Sequence, residues 1–527
     1  MATAMREASM GKFEGIREFH EGLAVSDYVN MIPFGETCLD RIGDDLLFDL
    51  SGEDGELRGH FLDSHGNIYI AVGSALYRSA LDNDGVRLTP QKMVTVNGGV
   101  DVDFQFSNAT GKVTFCESSV KPTVVFCCDG KYIYLWNTEA PANDNGGERA
   151  PYKVCALYMP NMKANGNDGV QPSMMQYIRQ SGLVPGLVAE YGDNSQIAWA
   201  GSICWFDNKL VMRQSGKTTV WLTCTDPAQF FRDPTLDFSN PPSGFPLWNS
   251  WYSSTNSSDT LVDIASFKGQ LYFINDRSIE VWGRTGNEDS PIQSNTTQVI
   301  HFGGRSPLIV EDELYLICRD SIGHEFVGSF TDKFTRLTNP EIEQRLGTPV
   351  DLQLISQRHE NFLYVRCKKD SGFLYRQGRW SSWKNPALET RPVVCSVIDE
   401  IALALDGSVL KFNENKRTTN SGYNIDRYIR DGFEQFQRRV IFRRVYIVCD
   451  TGKVDYDAGD DKSVYAALST NRGLNFSQRR YRTFGRAGQN DKVIEWRNLG
   501  SGNSVLVEIG TSSAHILQLY DLGIDAQ

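Results

Sequence analysis

Alternation of apolar and polar residues is the dominant signal along this chain, and it is sharpest over 262–284, VDIASFKGQLYFINDRSIEVWGR. Ile264–Phe267, Gln270–Ile274 and Ser278–Trp282 read as strands, with Lys268-Gly269 and Asn275-Asp276 as the turns between them. Period-two alternation between short turns is what half-buried antiparallel strands require. A three-strand meander is too small to bury its own face. It needs neighbours, and the rest of the chain supplies them.

The same layout recurs at 58–80 around His65-Gly66 and Gly73-Ser74, and at 123–136 around Asp129-Gly130. It returns at 197–224, 308–334, 355–383 and 393–412. Central strands are expected to begin near 68, 132, 209, 270, 313, 362 and 401, a mean spacing of roughly 55 residues against 40 to 50 for four-stranded repeats. The excess sits in long loops. Repeated small sheets without helical periodicity predict an all-β fold, a β-propeller of six or seven blades over 61–417. The alternative is a pair of β-sandwiches with long insertions.

The flanks differ. Residues 1–60 hold five Lys+Arg among 13 Asp+Glu and read as an N-terminal arm, either tied to a neighbouring body or a disordered tail. Long loops are expected at 137–195, with a helix candidate at Gln171–Ser181, and at 226–260, which is crowded with Pro and aromatic residues. Loops of this size in compact folds carry contacts or are disordered, and the aromatics of the second favour a contact surface. After a polar linker at Thr418–Gly422, strands are expected over Gly432–Asp450, Val464–Ser469, Val493–Trp496, Ser504–Gly510 and His515–Tyr520. They predict a C-terminal β-sandwich-like domain over 418–527.

Composition narrows the class. Of 527 residues, 22% are charged and 11% aromatic, as in proteins with large cores. No run approaches the roughly 20 apolar residues of a membrane span, and Met1–Phe34 lacks a secretory pattern. The 11 cysteines are odd in number and lie mostly inside apolar strands, which suits a reducing compartment. The net charge is −12, yet residues 431–527 hold 13 Lys+Arg against 12 Asp+Glu. An acidic body argues against ordinary nucleic-acid binding. Arg438, Arg439, Arg443, Arg444, Arg479, Arg480 and Arg482 make the C-terminal end basic. They form either a solvated sheet face or a docking face for an acidic partner or another copy of the chain.

Candidate chemistry is thin. The histidines (20, 60, 65, 301, 324, 359, 515) show no metal-ligand spacing, and no phosphate loop, nucleophile elbow or dinucleotide fingerprint occurs. Cys127-Cys128 is a vicinal pair inside a strand, where side chains point to opposite faces, so one core thiol is expected. The acidic run 455–461, DYDAGDD, lacks the ligand spacing of a helix-loop-helix calcium site and reads as an exposed turn. Ser469–Phe476, STNRGLNF, resembles the Asp-box hairpin of sialidase-type propellers, with Asn471 in place of its Asp. It lies outside the blade series, so an exposed turn is expected there too. No catalytic residue, cofactor or metal is expected.

Four stretches, SDYVNMIP (26–33), RGHFLDSHGNIYIAVGSALYRS (58–79), DIASFKGQLYFINDRSIEVWGRTG (263–286) and the run from FRRVYIVCDTG (442–452) through STNRGLNFSQ (469–478), occur in this order. Together they resemble the tail hub (nozzle) proteins of short-tailed bacteriophages, the P22-like packaged-DNA stabilisation family. The resemblance implies a structural, non-enzymatic virion protein, made in the host cytoplasm and built into the tail. It implies a homohexameric ring below the portal and its head-to-tail adaptor ring, anchoring a tail needle or plug and tailspike or tail fibre proteins. DNA would be retained and then pass through the channel without specific binding, because an acidic lining repels phosphate. The rival readings are a glycan-cleaving propeller enzyme and a monomeric glycan-binding propeller.

Overall fold

A computed structural model describes residues 6–9, 17–18, 25–50, 52, 55–97, 100–119, 121, 123–139, 151–157, 198–223, 248–253, 259–287, 290–295, 300–367, 371–385, 393–395, 401–405, 407–419, 421–451, 463–485 and 492–527. The chain divides into two compact units. A middle unit comprises Phe48–Arg336 with Leu405–Ser408, and a terminal unit comprises Met1–Leu47, Leu337–Ala404 and Val409–Gln527.

In the middle unit the meander at 262–284 becomes three strands, Leu261–Phe267, Gln270–Asn275 and Ile279–Arg284, and gains a short fourth, Ile292–Ser294. Lys268 and Gly269 turn with φ of 47° and 71°, the left-handed pair that a tight hairpin needs. Both faces of this sheet are buried. Ile264, Leu271, Phe273 and Trp282 pack with Cys204, Val211 and Leu222 of the preceding sheet. Ala265, Tyr272, Ile274 and Val281 pack with Leu314, Leu316 and Phe326 of the following one. Alternation thus serves two cores at once, so each sheet needs a neighbour on either side.

Four further four-stranded sheets of the middle unit open with Leu57–Leu62, Thr114–Glu117, Ala200–Phe206 and Gly303–Val310. The opening strands of consecutive sheets lie side by side. Small antiparallel sheets packed face to face in chain order, opening strands adjacent, are the arrangement of a β-propeller. The central strands begin at 68, 209, 270, 313, 360 and 401. The one expected near 132 is Ile133–Asn137, third in its sheet after Thr114–Glu117 and Val124–Cys128. The two loops expected at 137–195 and 226–260, including the helix candidate Gln171–Ser181, lie largely or wholly outside the described residues.

The terminal unit holds two more four-stranded repeats. One runs Pro349–Gln357, Glu360–Cys367, Ser371–Arg376 and Arg379–Lys384. The other takes Val393–Cys395, Ile401–Ala404 and Val409–Asn413, and its fourth strand is Gly43–Phe48 from the arm expected at the N-terminus. Before the first of these repeats, Pro340–Leu346 forms a helix that alternation had not suggested. Its signal is local: Asn339 caps it by accepting from Ile342 N–H at 2.8 Å, Pro340 opens it and Gly347 ends it.

The C-terminal β-sandwich-like domain is organised by one 23-residue strand, Arg427–Cys449. Its first part pairs with Val25–Val29 and Ser501–Thr511, its last part with Val493–Arg497 and Leu519–Ala526. Register shifts within it let a single strand serve two sheets. Between them lie Ile429, Val445, Ile447, Val464, Trp496, Val507 and Ile524, joined by Tyr28, Met31 and Cys38 from the N-terminal segment. The expected strand at 515–520 begins instead at Leu519. Leu517 N–H donates to buried Asp40 at 2.9 Å, which pulls that segment out of the ladder.

Candidate docking face of the terminal domain

The seven arginines singled out in the sequence divide between two roles. Arg444 donates to Asp525 at 2.7 Å and to Glu495 at 3.4 Å. Arg479 reaches buried Glu508 at 3.2 Å, and Arg430 reaches the same carboxylate at 2.7 Å. Arg479 also stacks on Tyr465, 4.2 Å from guanidinium carbon to ring centroid. Arg439 donates to Ser501 Oγ at 3.0 Å.

Arg480 and Arg482 solve an edge problem. Their strand, Arg480–Thr483, ends one sheet, while Val493–Arg497 pairs only with the long strand among the described residues. Open edges invite pairing with other chains. Here Arg480 donates to the carbonyls of Arg497 and Asn498 at 3.0 and 2.9 Å, and Arg482 to that of Glu495 at 3.2 Å. Trp496 Nε1 returns a bond to the Arg480 carbonyl at 2.7 Å. Five of the seven therefore hold the domain together. Arg438 and Arg443 stand exposed on the long strand, with no side-chain partner among the described residues.

A site that pattern reading missed lies deeper in the same unit. Asp40 is fully buried and accepts from Arg417 at 2.6 and 3.1 Å, Arg427 at 2.7 Å, Arg358 at 2.9 Å and Leu517 N–H. Burial opposes its ionisation, but the three guanidinium groups outweigh burial and hold its carboxyl well below the ordinary range. Burial lowers Arg427 to about 10 despite its carboxylate partner. Arg427 also donates to the His515 carbonyl at 2.6 Å. The arrangement ties the N-terminal segment, the turn at Arg358 and the C-terminal domain to one carboxylate. The available signal was two arginines, Arg417 and Arg427, flanking the polar linker.

The other sequence candidates resolve structurally. Alternation predicts one core thiol, but Cys127 and Cys128 are both buried, because every residue of Val124–Cys128 is covered on both faces of the strand. In the hairpin at 469–476, Gly473 N–H donates to Ser469 Oγ at 2.8 Å and Asn475 N–H to Asn471 at 3.0 Å, a self-contained turn. The acidic run 455–461 lies outside the described residues. Among the described residues no group of three or more His, Cys, Asp and Glu could hold a metal ion. No described helix is long and apolar enough to cross a membrane.

The charge of the molecule is segregated. The middle unit holds 22 Lys+Arg against 34 Asp+Glu, a net of −12, and the terminal unit 31 against 31, a net of zero.

No protein-family profile matches the chain, and no curated protein does. Solved structures do. Virginiamycin B lyase from Staphylococcus aureus aligns at 10% identity and a TM-score of 0.39, over 69% of this chain and 97% of the lyase. The β-propeller domain of Cps50 from Myceliophteria thermophila aligns at 9% identity and 0.39, over 70% of this chain and 100% of that domain. An exo-β-1,3-galactanase from Phanerochaete chrysosporium aligns at 9% identity and 0.24, over 92% of this chain and 99% of the enzyme. At such identities the likeness concerns the fold alone.

Proposed function

We propose that this chain is a structural ring subunit of the kind it resembles, a tail hub or nozzle protein of a short-tailed bacteriophage. In this reading six copies close head to tail into a ring through heterologous contacts. The ring continues the channel below the portal and adaptor, and carries the needle and the tailspike or fibre proteins. The observation that carries the reading is the segregation of charge: the propeller repeats of the middle unit hold the whole net charge of −12, and the terminal unit is neutral, with Arg438 and Arg443 on its long strand lacking a side-chain partner among the described residues. An acidic body repels phosphate, so DNA moves past it without sticking. A surface cation opposite the acidic unit of the next copy favours a defined register over random association.

Arg438 and Arg443 are the residues to perturb, because reversing Arg444 would break pairs inside the chain. Native mass spectrometry of the purified chain is expected to show hexamers that fall apart in the Arg438→Glu/Arg443→Glu double variant. Circular dichroism should remain unchanged. A monomeric parent protein, or a variant that assembles as well as its parent, refutes the assignment.

A further inference from the structure

Within the fourth sheet of the middle unit, one end carries a polar cluster that neither the fold nor the proposed function accounts for. Asp259 precedes the strand Leu261–Phe267, Asn275 ends Gln270–Asn275, and Ser278 precedes Ile279–Arg284. The three side chains are buried, with Asp259 7%, Asn275 0% and Ser278 4% exposed. Ser278 Oγ donates to Asp259 Oδ2 at 2.6 Å and accepts from Asn275 Nδ2 at 3.2 Å. The other oxygen of each partner, Asp259 Oδ1 and Asn275 Oδ1, has no hydrogen-bond donor. Asp259 also makes no ion pair among the described residues. A buried carboxylate with a single hydroxyl donor is costly, and two acceptor oxygens without donors add to that cost.

The surroundings hold these oxygens in place. Asn275 N–H donates to the Ser278 carbonyl at 2.8 Å, and Asp276 N–H to that of Thr260 at 2.9 Å. Gly303 of the next sheet lies so close that a Cβ there would stand 1.7 Å from the Asp276 carbonyl oxygen, so the turn is clamped from behind. Glu280, also buried, follows Ser278 on the same face of its strand, and its Oε2 accepts from Trp282 Nε1 at 3.2 Å. The cluster thus gathers hard oxygens and negative charge on a rigid turn.

We infer that Asp259, Asn275 and Ser278 form a binding site for a hard divalent cation, with Ca²⁺ the best match. Carboxylate, carboxamide and hydroxyl oxygens are ligands of Ca²⁺, which tolerates irregular geometry and completes its shell with water. Mg²⁺ demands a tighter octahedron and gives up its waters reluctantly. Ligands at the ends of three successive strands make the ion a clamp on that end of the sheet.

Terbium luminescence and thermal unfolding of the full chain test this. Tb³⁺ bound at this cluster, on the strand whose Trp282 donates to Glu280, is expected to show tryptophan-sensitised emission, displaced by Ca²⁺ with a midpoint of about 10⁻⁴–10⁻³ M, the range of weak sites. Ca²⁺ over the same range should raise the unfolding temperature more than Mg²⁺ does. Asp259→Asn should abolish both responses, and Asn275→Asp, which adds a charge without adding bulk, should shift the midpoint to lower Ca²⁺. Trp282→Phe should lose the emission but keep the thermal response. Absence of any ion response in the parent protein overturns the site and leaves those oxygens to bound water alone. A response that survives Asp259→Asn overturns it as well, and places the ion elsewhere, for instance on the acidic run 455–461.

Discussion

Asp40→Asn tests whether one carboxylate holds the terminal unit together. The substitution keeps the shape of the side chain and removes its charge, leaving Arg417 and Arg427, both fully buried, without a counter-ion. Removing one partner of a buried ion pair costs about 3–5 kcal/mol, because the remaining charge is neither solvated nor paired. Hydrogen exchange reads this locally. Peptides covering 37–44, 425–430 and 513–519 should lose about 10²- to 10⁴-fold in protection, at about 1.4 kcal/mol per decade, while 261–284 in the middle unit stays unchanged. The pH dependence has a definite sign. Asp40 has a folded-state pKa held below its unfolded value, so its contribution is fully present above the ordinary carboxylate range. It is lost as pH falls through the lowered folded value, so parent protection in these peptides should decline from about pH 4 downward. The variant lacks that part of the acid slope. Protection within threefold of the parent at pH 7 would refute the reasoning, since it would mean that the arginines find solvent or other partners.

Two shorter predictions stand beside the charge-reversal and cation tests. Arg58 is a buried cation donating to five backbone carbonyls, those of Gly73, Asn108, Thr110, Gly111 and Asp129, at 2.6 to 3.2 Å. Arg58→Met keeps its length but leaves those carbonyls short of donors, and should cost about 3 kcal/mol or more by urea titration; a change under about 1 kcal/mol counts against the pin. Nine of the 11 cysteines are buried free thiols, and burial raises those of Cys128, Cys367 and Cys449 to about 12. Ellman's reagent at pH 8 should therefore find no more than two fast thiols in the folded protein and all 11 in denaturant, and rapid titration of more would show the sheets to be open.

Strand and turn chemistry by itself determined the fold class. Alternation at 262–284 and its recurrences mark where sheets form, because a pleated strand sends successive side chains to opposite faces, and Lys268-Gly269 marks where they turn. The Asn339-Pro340 helix start went unread because its signal is a cap in adjacent residues, which alternation does not register. Tertiary structure alone decided the long-range partnerships. Gly43–Phe48 completes a sheet whose other strands begin at residue 393, and nothing in its own six residues names that partner. Arginine spacing showed a basic end but not which cations are spent internally, since Arg444 and Arg480 differ from Arg443 only in what folds beside them. Asp40 reads as an ordinary acidic residue until three arginines from distant segments surround it. Local sequence encodes backbone conformation and which face is apolar. The pairing of charges across hundreds of residues is an outcome of packing, and it appears only once the chain has closed around them.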